Sequence, residues 1–151
     1  RLAAMLGLPY AFASHFAPAA LADAVRLYKA EFQPSPQLDK PYVMAGVNVV
    51  AAETEAEARR HFTSIQQQFT NLLRGTPGQL PPPIDDIDDY WTPEEELRAA
   101  AMLSCSFVGA PDKVREQLDR FAEQPQLDEL IVASAIYDHA ARLRSYELLT
   151  Q

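Results

Sequence analysis

Apolar positions along the chain alternate between two rhythms. Residues 9–15, PYAFASH, form a short apolar and aromatic run with Pro9 in first place, where a strand tolerates proline, and the run predicts a strand. Pro18 stands where a helix accepts proline as its first residue. Leu21, Val25, Tyr28 and Phe32 then recur at spacings of four, three and four, which is one face of a helix. Three prolines between residues 33 and 41 predict a loop, and residues 42–52, YVMAGVNVVAA, predict a second strand. Thr54 and Glu57 have the spacing of a capping box, Phe62, Ile65, Phe69 and Leu72 continue as a helical stripe, and Gly75 ends it. Thr92, Pro93 and Glu95 open a further helix. Residues 104–108 predict a brief strand, Gly109-Ala110-Pro111 a turn, and Val114, Leu118 and Phe121 a helical face. Residues 130–136, LIVASAI, read as a buried strand, and Asp138 caps a last helix that runs to about Leu149.

Strands apolar on both sides, alternating with amphipathic helices, make a parallel sheet covered by helices. The fold class expected is α/β, with four parallel β/α units in sequential order and helices on the outer face. Four such units are half of a (β/α)8 TIM barrel, and the same pattern also fits a small open sheet. One domain spans residues 1–151. Its rhythm breaks at residues 76–91, TPGQLPPPIDDIDDYW, a proline-rich irregular insertion. The opening RLAAMLG reads as the last turns of a helix closed by a C-cap glycine, with no N-cap before it, so the chain is expected to be a piece of a longer protein.

Composition narrows the function classes. The chain is 48% hydrophobic and 23% charged, which is globular, and it carries a net charge of -8 with a pI near 4.8. An acidic surface repels nucleic acid and anionic membrane, so neither is an expected partner. Cys105 is the single cysteine, which excludes an intrachain disulfide and gives no sign of an oxidising compartment. No run reaches the roughly 18 apolar residues of a membrane span and no signal peptide is visible. A cytoplasmic location is expected.

Four stretches in order, GLPYAFASHFAP, YVMAGVNVVAAETEAEA, SFVGAPDKV and ELIVASAIYDHAARLRSYELL, resemble the luciferase-like flavin-dependent monooxygenases. The likeness covers nearly the whole chain, the insertion included. It implies a (β/α)8 barrel of more than twice this length, with this chain as its C-terminal half, strands five to eight. It also implies an oxidoreductase that uses reduced flavin and O2 on an organic substrate, FMN being the expected flavin and F420 the alternative. In such proteins the groups that grip the flavin phosphate would precede Arg1. The isolated chain is therefore expected to bind flavin weakly or not at all, and to be inactive. Substrate and flavin are the expected small-molecule partners. The bare inner face of a half barrel predicts a homodimer, or association with the missing half.

Chemistry in a barrel sits at the C-terminal ends of the strands. The resemblance therefore puts Ser14 and His15 at the active-site mouth, and Ser134 in an equivalent place. His15 is the catalytic candidate, its imidazole donating to a flavin carbonyl or to a reacting oxygen, or moving a proton. Ser14 and Ser134 are the cofactor-binding candidates. Plainer readings stand beside these: His15 packed under Phe16 in a loop, the serines as small spacers, and Asn48 satisfying a neighbouring backbone group. His61, out of phase with Phe62 and Ile65, is expected on a solvated helix face, and His139 beside its cap is expected to be structural. The histidines lack metal-ligand spacing and no Cys-x-x-Cys is present, so no metal is expected. Asp85, Asp86, Asp88 and Asp89 read as a solvated acidic lid. A non-catalytic α/β binding or interaction domain is the other function class that fits.

Overall fold

The computed structural model describes residues 1–123 and 126–150. A short helix α1 (Leu2–Met5) leads through Gly7, at φ 61°, into strand β1 (Tyr10–Phe12). A 3-10 turn (Pro18–Ala20) runs into α2 (Leu21–Glu31), followed by β2 (Val43–Ala51) and α3 (Glu55–Leu73). After the insertion come α4 (Pro93–Met102), β3 (Ser106–Gly109), α5 (Pro111–Glu123), β4 (Glu129–Ala133) and α6 (His139–Leu149). The caps do what their residue types allow. Thr54 and Asp138 accept from the amides three residues on, and Thr92 with Glu95 completes both halves of a capping box.

All strand pairs are parallel, as the alternation of strands and helices requires, but their order is not sequential. β2 pairs with each of the other three strands, and β4 lies beside β2 instead of β3. The backbone directions show how. His15 N–H reaches Gly46 C=O, and Asn48 N–H reaches Cys105 C=O, so the even-numbered residues of β2 bond towards β1 and β3. The odd residue Val43 takes the amide of Asp128 from the side of β4. Successive residues of a parallel strand bond to opposite neighbours. β1 and β3 therefore share one edge of β2 end to end, at residues 43–45 and 48–51, and β4 takes the other. Nine residues of β2 leave room for a three-residue and a four-residue strand in tandem. The expected sequential order is corrected accordingly.

The same alternation divides the faces. Val43, Ala45, Val47, Val49 and Ala51, none more than 2% exposed, point at the helices. Val43 and Ala45 pack with Leu21, Val25 and Tyr28 of α2, and Val47, Val49 and Ala51 with Val114 of α5 and Leu148 of α6. The opposite, inner face carries Ala11 of β1, Met44, Gly46, Asn48 and Val50 of β2, Ser106 of β3 and Ile131 of β4. It is open at Ala11 and at Ile131, which is 47% exposed. The run LIVASAI is thus not a strand buried on both sides. It pairs only from Glu129 to Ala133, one face under helices and one bare.

The insertion does not lie across this open face. It is strapped along α3: Thr63 Oγ1 accepts from Ile84 N–H at 2.9 Å, Gln67 Nε2 donates to Pro82 C=O at 3.0 Å, and Arg60 pairs with Asp85 at 2.8 Å. Trp91 joins Ile65, Phe69, Ala99 and Leu103 in a separate apolar cluster between α3 and α4. His61, expected to be solvated, is largely enclosed on this helix. Its Nδ1 is buried without a partner and its Nε2 lies 3.8 Å from Glu57.

Candidate functional site

β1 ends at Phe12, and the chain turns back on itself through Ala13–Phe16. One carbonyl holds this turn. Gly46 C=O accepts the Ser14 hydroxyl at 2.5 Å and the His15 amide at 2.9 Å. Ser14 is fully buried, and its hydroxyl bonds to the backbone of β2. It also hydrogen-bonds Cys105. Burial pushes the Cys105 thiol upward, and that bond to Ser14 pulls it partly back. Cys105 is therefore a protonated, enclosed packing residue at neutral pH.

His15 is only partly enclosed. Its ring lies on the inner face against Gly46, with the Phe16 ring at 4.2 Å between centroids and 44° between planes. Phe16 itself is 70% exposed. Nδ1 of His15 is buried and has no hydrogen-bond partner. Two residues further along β2, on the same face, Asn48 is 5% exposed and donates through Nδ2 to Ser106 Oγ at 3.3 Å. The inner face thus carries a polar strip of His15, Asn48 and Ser106, with the carboxylate of Glu129 opposite Met44 at the start of β4. Of the strip's three groups, the imidazole is only half-buried, whereas the Asn48 amide is buried and engaged with Ser106.

Ser134 is held elsewhere. It follows β4 and turns to the helix side, where its amide donates to the Tyr146 hydroxyl at 3.0 Å and its hydroxyl lies 3.4 Å from that of Ser145. Ser145, fully buried, accepts the Ala51 amide at 2.9 Å. Ser134 therefore belongs to the α6 junction. Among the described residues no hydrogen bond joins it to the turn of Ser14 and His15. His139 is exposed, 2.7 Å from Arg142 Nη2. The aspartates of the insertion serve local contacts: Asp85 takes Arg60, Asp86 the Asp88 amide, and Asp88 the Trp91 indole. A cleft of about 610 Å3 opens between α2 and α5 over Leu21, Val25, Cys105 and Phe121, and none of the three candidate residues lines it. No helix among the described residues is long and apolar enough to cross a membrane.

Reading the sequence alone passes over Gly46 and the pairing of Asn48 with Ser106. The signal for both is in the run YVMAGVNVV, where a glycine and an asparagine two residues apart interrupt valines on one face. A lone glycine in a strand often marks close approach of another group.

Comparison with known proteins agrees with this architecture. The model of the luciferase-like monooxygenase family matches residues 1–128. A luciferase-like monooxygenase of Escherichia coli K12 is 49% identical over 148 residues, covering 98% of this chain and 44% of that protein. The uncharacterised protein YvbT of Bacillus subtilis is 46% identical over 149 residues, again 44% of its length. The crystal structure of apo-MsnO8 superposes with a TM-score of 0.78 at 34% identity, covering 97% of this chain and 45% of that one. Riboflavin lyase RcaE, solved with a modified FMN and riboflavin, shares the fold at a TM-score of 0.57 and 18% identity, covering 98% of this chain and 38% of that one. The chain spans about 44% of the curated relatives it matches, and its parallel sheet with outer helices fits half of their barrel. Its sequence, its sheet and its helical layer together place it in the luciferase-like monooxygenase family.

Proposed function

We propose that this chain is the C-terminal half of a flavin-dependent monooxygenase and supplies one wall of its flavin and substrate site. The observation that carries the reading is the polar strip on the open inner face, headed by His15 at the C-terminal end of β1. A sheet face open at Ala11 and Ile131, with a half-buried imidazole whose Nδ1 has no protein partner set over a glycine, fits a flat ligand that lies against it. FMN is the flavin that the family points to, with F420 the alternative, and riboflavin lyase RcaE is a neighbour solved with a modified FMN. Reduced flavin would supply the reaction of O2 with an organic substrate. The chain's own work is to orient, to donate and to keep water out. His15 donates to an acceptor oxygen of the ligand. Ser14 fixes the turn that aims it. Ser134 supports the wall from the α6 side, where its amide and hydroxyl meet Tyr146 and Ser145.

Because the chain spans less than half of its relatives, the remaining wall belongs to the rest of the protein or to another copy seated on the open face. The reading therefore expects the chain alone to bind FMN with a dissociation constant above about 1 µM, weaker than roughly 8 kcal/mol. The reading places this work on small molecules in the cytoplasm, and a net charge of -8 disfavours nucleic acid and anionic membrane as partners. The test joins this chain to the rest of its barrel and assays reduced flavin and O2 with an organic acceptor. His15→Ala is expected to lower turnover by about 10²-fold or more, the size of one donor or acid–base group. Unchanged turnover would remove His15 from the chemistry.

A further inference from the structure

Gly46 lies mid-strand in β2, where most neighbours carry a larger side chain. A Cβ built on it would sit 2.7 Å from Cε1 of His15 and nearer still to Nδ1, closer than real side chains approach. The imidazole thus occupies the place of a Gly46 side chain on the inner face. The carbonyl of the same residue holds the Ser14 hydroxyl and the His15 amide, so Gly46 grips the turn and seats the ring at once. Shut against the glycine, Nδ1 is buried and unpartnered, whereas Nε2 is not in that state.

We propose that Gly46 is a positioning residue that holds His15 in the neutral tautomer with its hydrogen on Nε2, so that the site presents one outward donor and takes a ligand group that accepts, a carbonyl or a deprotonated oxygen. A neutral imidazole has one N–H and one bare nitrogen. A hydrogen on Nδ1 would be a buried N–H without an acceptor, among the rarest states in folded proteins. It would also point at the Gly46 α-hydrogen, which lies along the direction of the missing Cβ. A lone pair on Nδ1 meets that same polarised C–H favourably, if weakly. The hydrogen therefore goes to Nε2, where a ligand or water can accept it. The ligand half of the proposal rests on the flavin reading above; the tautomer half does not.

Long-range 1H–15N correlation spectra of the uniformly 15N-labelled chain, recorded where the rings are neutral, test it. His15 is assigned by the signals lost in His15→Asn. The expected result is a pyridine-type Nδ1 and a pyrrole-type Nε2 for His15. In Gly46→Ala both nitrogens should move towards the averaged shifts of a free imidazole as the ring is pushed off its seat. A hydrogen found on Nδ1, or averaged shifts in the unaltered chain, overturns the proposal, and does so even if Gly46→Ala fails to fold. FMN is then added at high concentration, as the probe, to this chain joined to the rest of its barrel, because the chain alone is expected to bind it weakly or not at all. FMN should move the Nε2 signal and leave Nδ1 in place. A fixed Nε2–H tautomer that FMN leaves unmoved upholds the positioning by Gly46 and refutes the flavin reading instead.

Discussion

Tyr28 is the joint between the helical layer and the entry to the sheet, and replacing it by phenylalanine measures that joint. Its ring is 2% exposed and stacks on Tyr10 with centroids 5.1 Å apart, contacts that Tyr28→Phe preserves. Its hydroxyl donates to Leu8 C=O at 2.8 Å and accepts from Tyr42 N–H at 3.2 Å. Leu8 leads into β1 and Tyr42 into β2, so one oxygen aligns the two strands. Each bond contributes about 0.5–1.5 kcal/mol net, and the two together about 1–3 kcal/mol. Leu8 and Tyr42 are half-buried, so water can partly replace the hydroxyl and the expected cost falls to about 1–2 kcal/mol. In a chain of this size that is a drop of roughly 2–8 °C in Tm. Urea unfolding followed by circular dichroism should show a lower midpoint at an unchanged slope. A shift below about 0.3 kcal/mol would mean that water serves these backbone groups as well as the hydroxyl does, and the joint would have to be assigned to the ring alone.

Other expectations follow from the strap and from the open face. The Arg74 guanidinium, with the Thr92 amide behind it, holds the Glu95 carboxyl down at about 2 from its ordinary 4.5. A lowered folded value stabilises the protein above the unfolded one, so this contribution is complete above about pH 4.5 and is lost as pH falls towards 2. Acid titrations of stability should therefore be flatter in that window for Glu95→Gln, and identical acid limbs would refute the assignment. Thr92→Ala removes the oxygen that caps α4 and should cost about 1 kcal/mol in the same urea assay; no change would show the cap to be replaced by water. Ile131→Glu puts a charge on the bare inner face. Sedimentation equilibrium should find the unaltered chain self-associating and this variant monomeric, and a chain that is strictly monomeric over a wide concentration range would dispose of the association.

Much of the architecture was legible because it depends on local periodicity. The stripe Leu21, Val25, Tyr28 marks α2, the valines of YVMAGVNVV mark β2, and Thr92-Pro93-Glu94-Glu95 marks the start of α4 to the residue. Strand order was not legible. Whether β3 pairs beyond β1 on one edge or beside β4 depends on the length of β2 and on where two short strands end, and neither leaves a pattern in β3 itself. The site was half legible. A serine and a histidine closing an apolar run pointed to the end of β1, and the structure finds them there. Ser134 looks equivalent in the sequence, yet strand parity turns it towards α6, because Ala133 takes the inner position opposite Asn48. His61 misled for the opposite reason. Its helix phase is polar, yet its side chain is largely enclosed and its Nδ1 buried, which periodicity within one helix does not report.

The pairing of β2 with every other strand has a consequence for how the sheet comes apart. β1, β3 and β4 make no ladder with one another among the described residues, so none can keep its pairing once β2 leaves. The sheet therefore has no smaller stable subset that excludes β2, and its opening should be all or none about that strand. Hydrogen exchange would register this as an asymmetry. Even-numbered amides of β2 are guarded by β1 and β3, whereas odd ones such as Gly46's neighbours Ala45 and Val47 are guarded by β4, which must return across more than 80 residues of chain to reach its partner. The last ladder to close in folding is then the one whose two strands are farthest apart in sequence. Until it does, one edge of β2 stands open, and a freshly made chain is most exposed to pairing with another copy of itself along that edge.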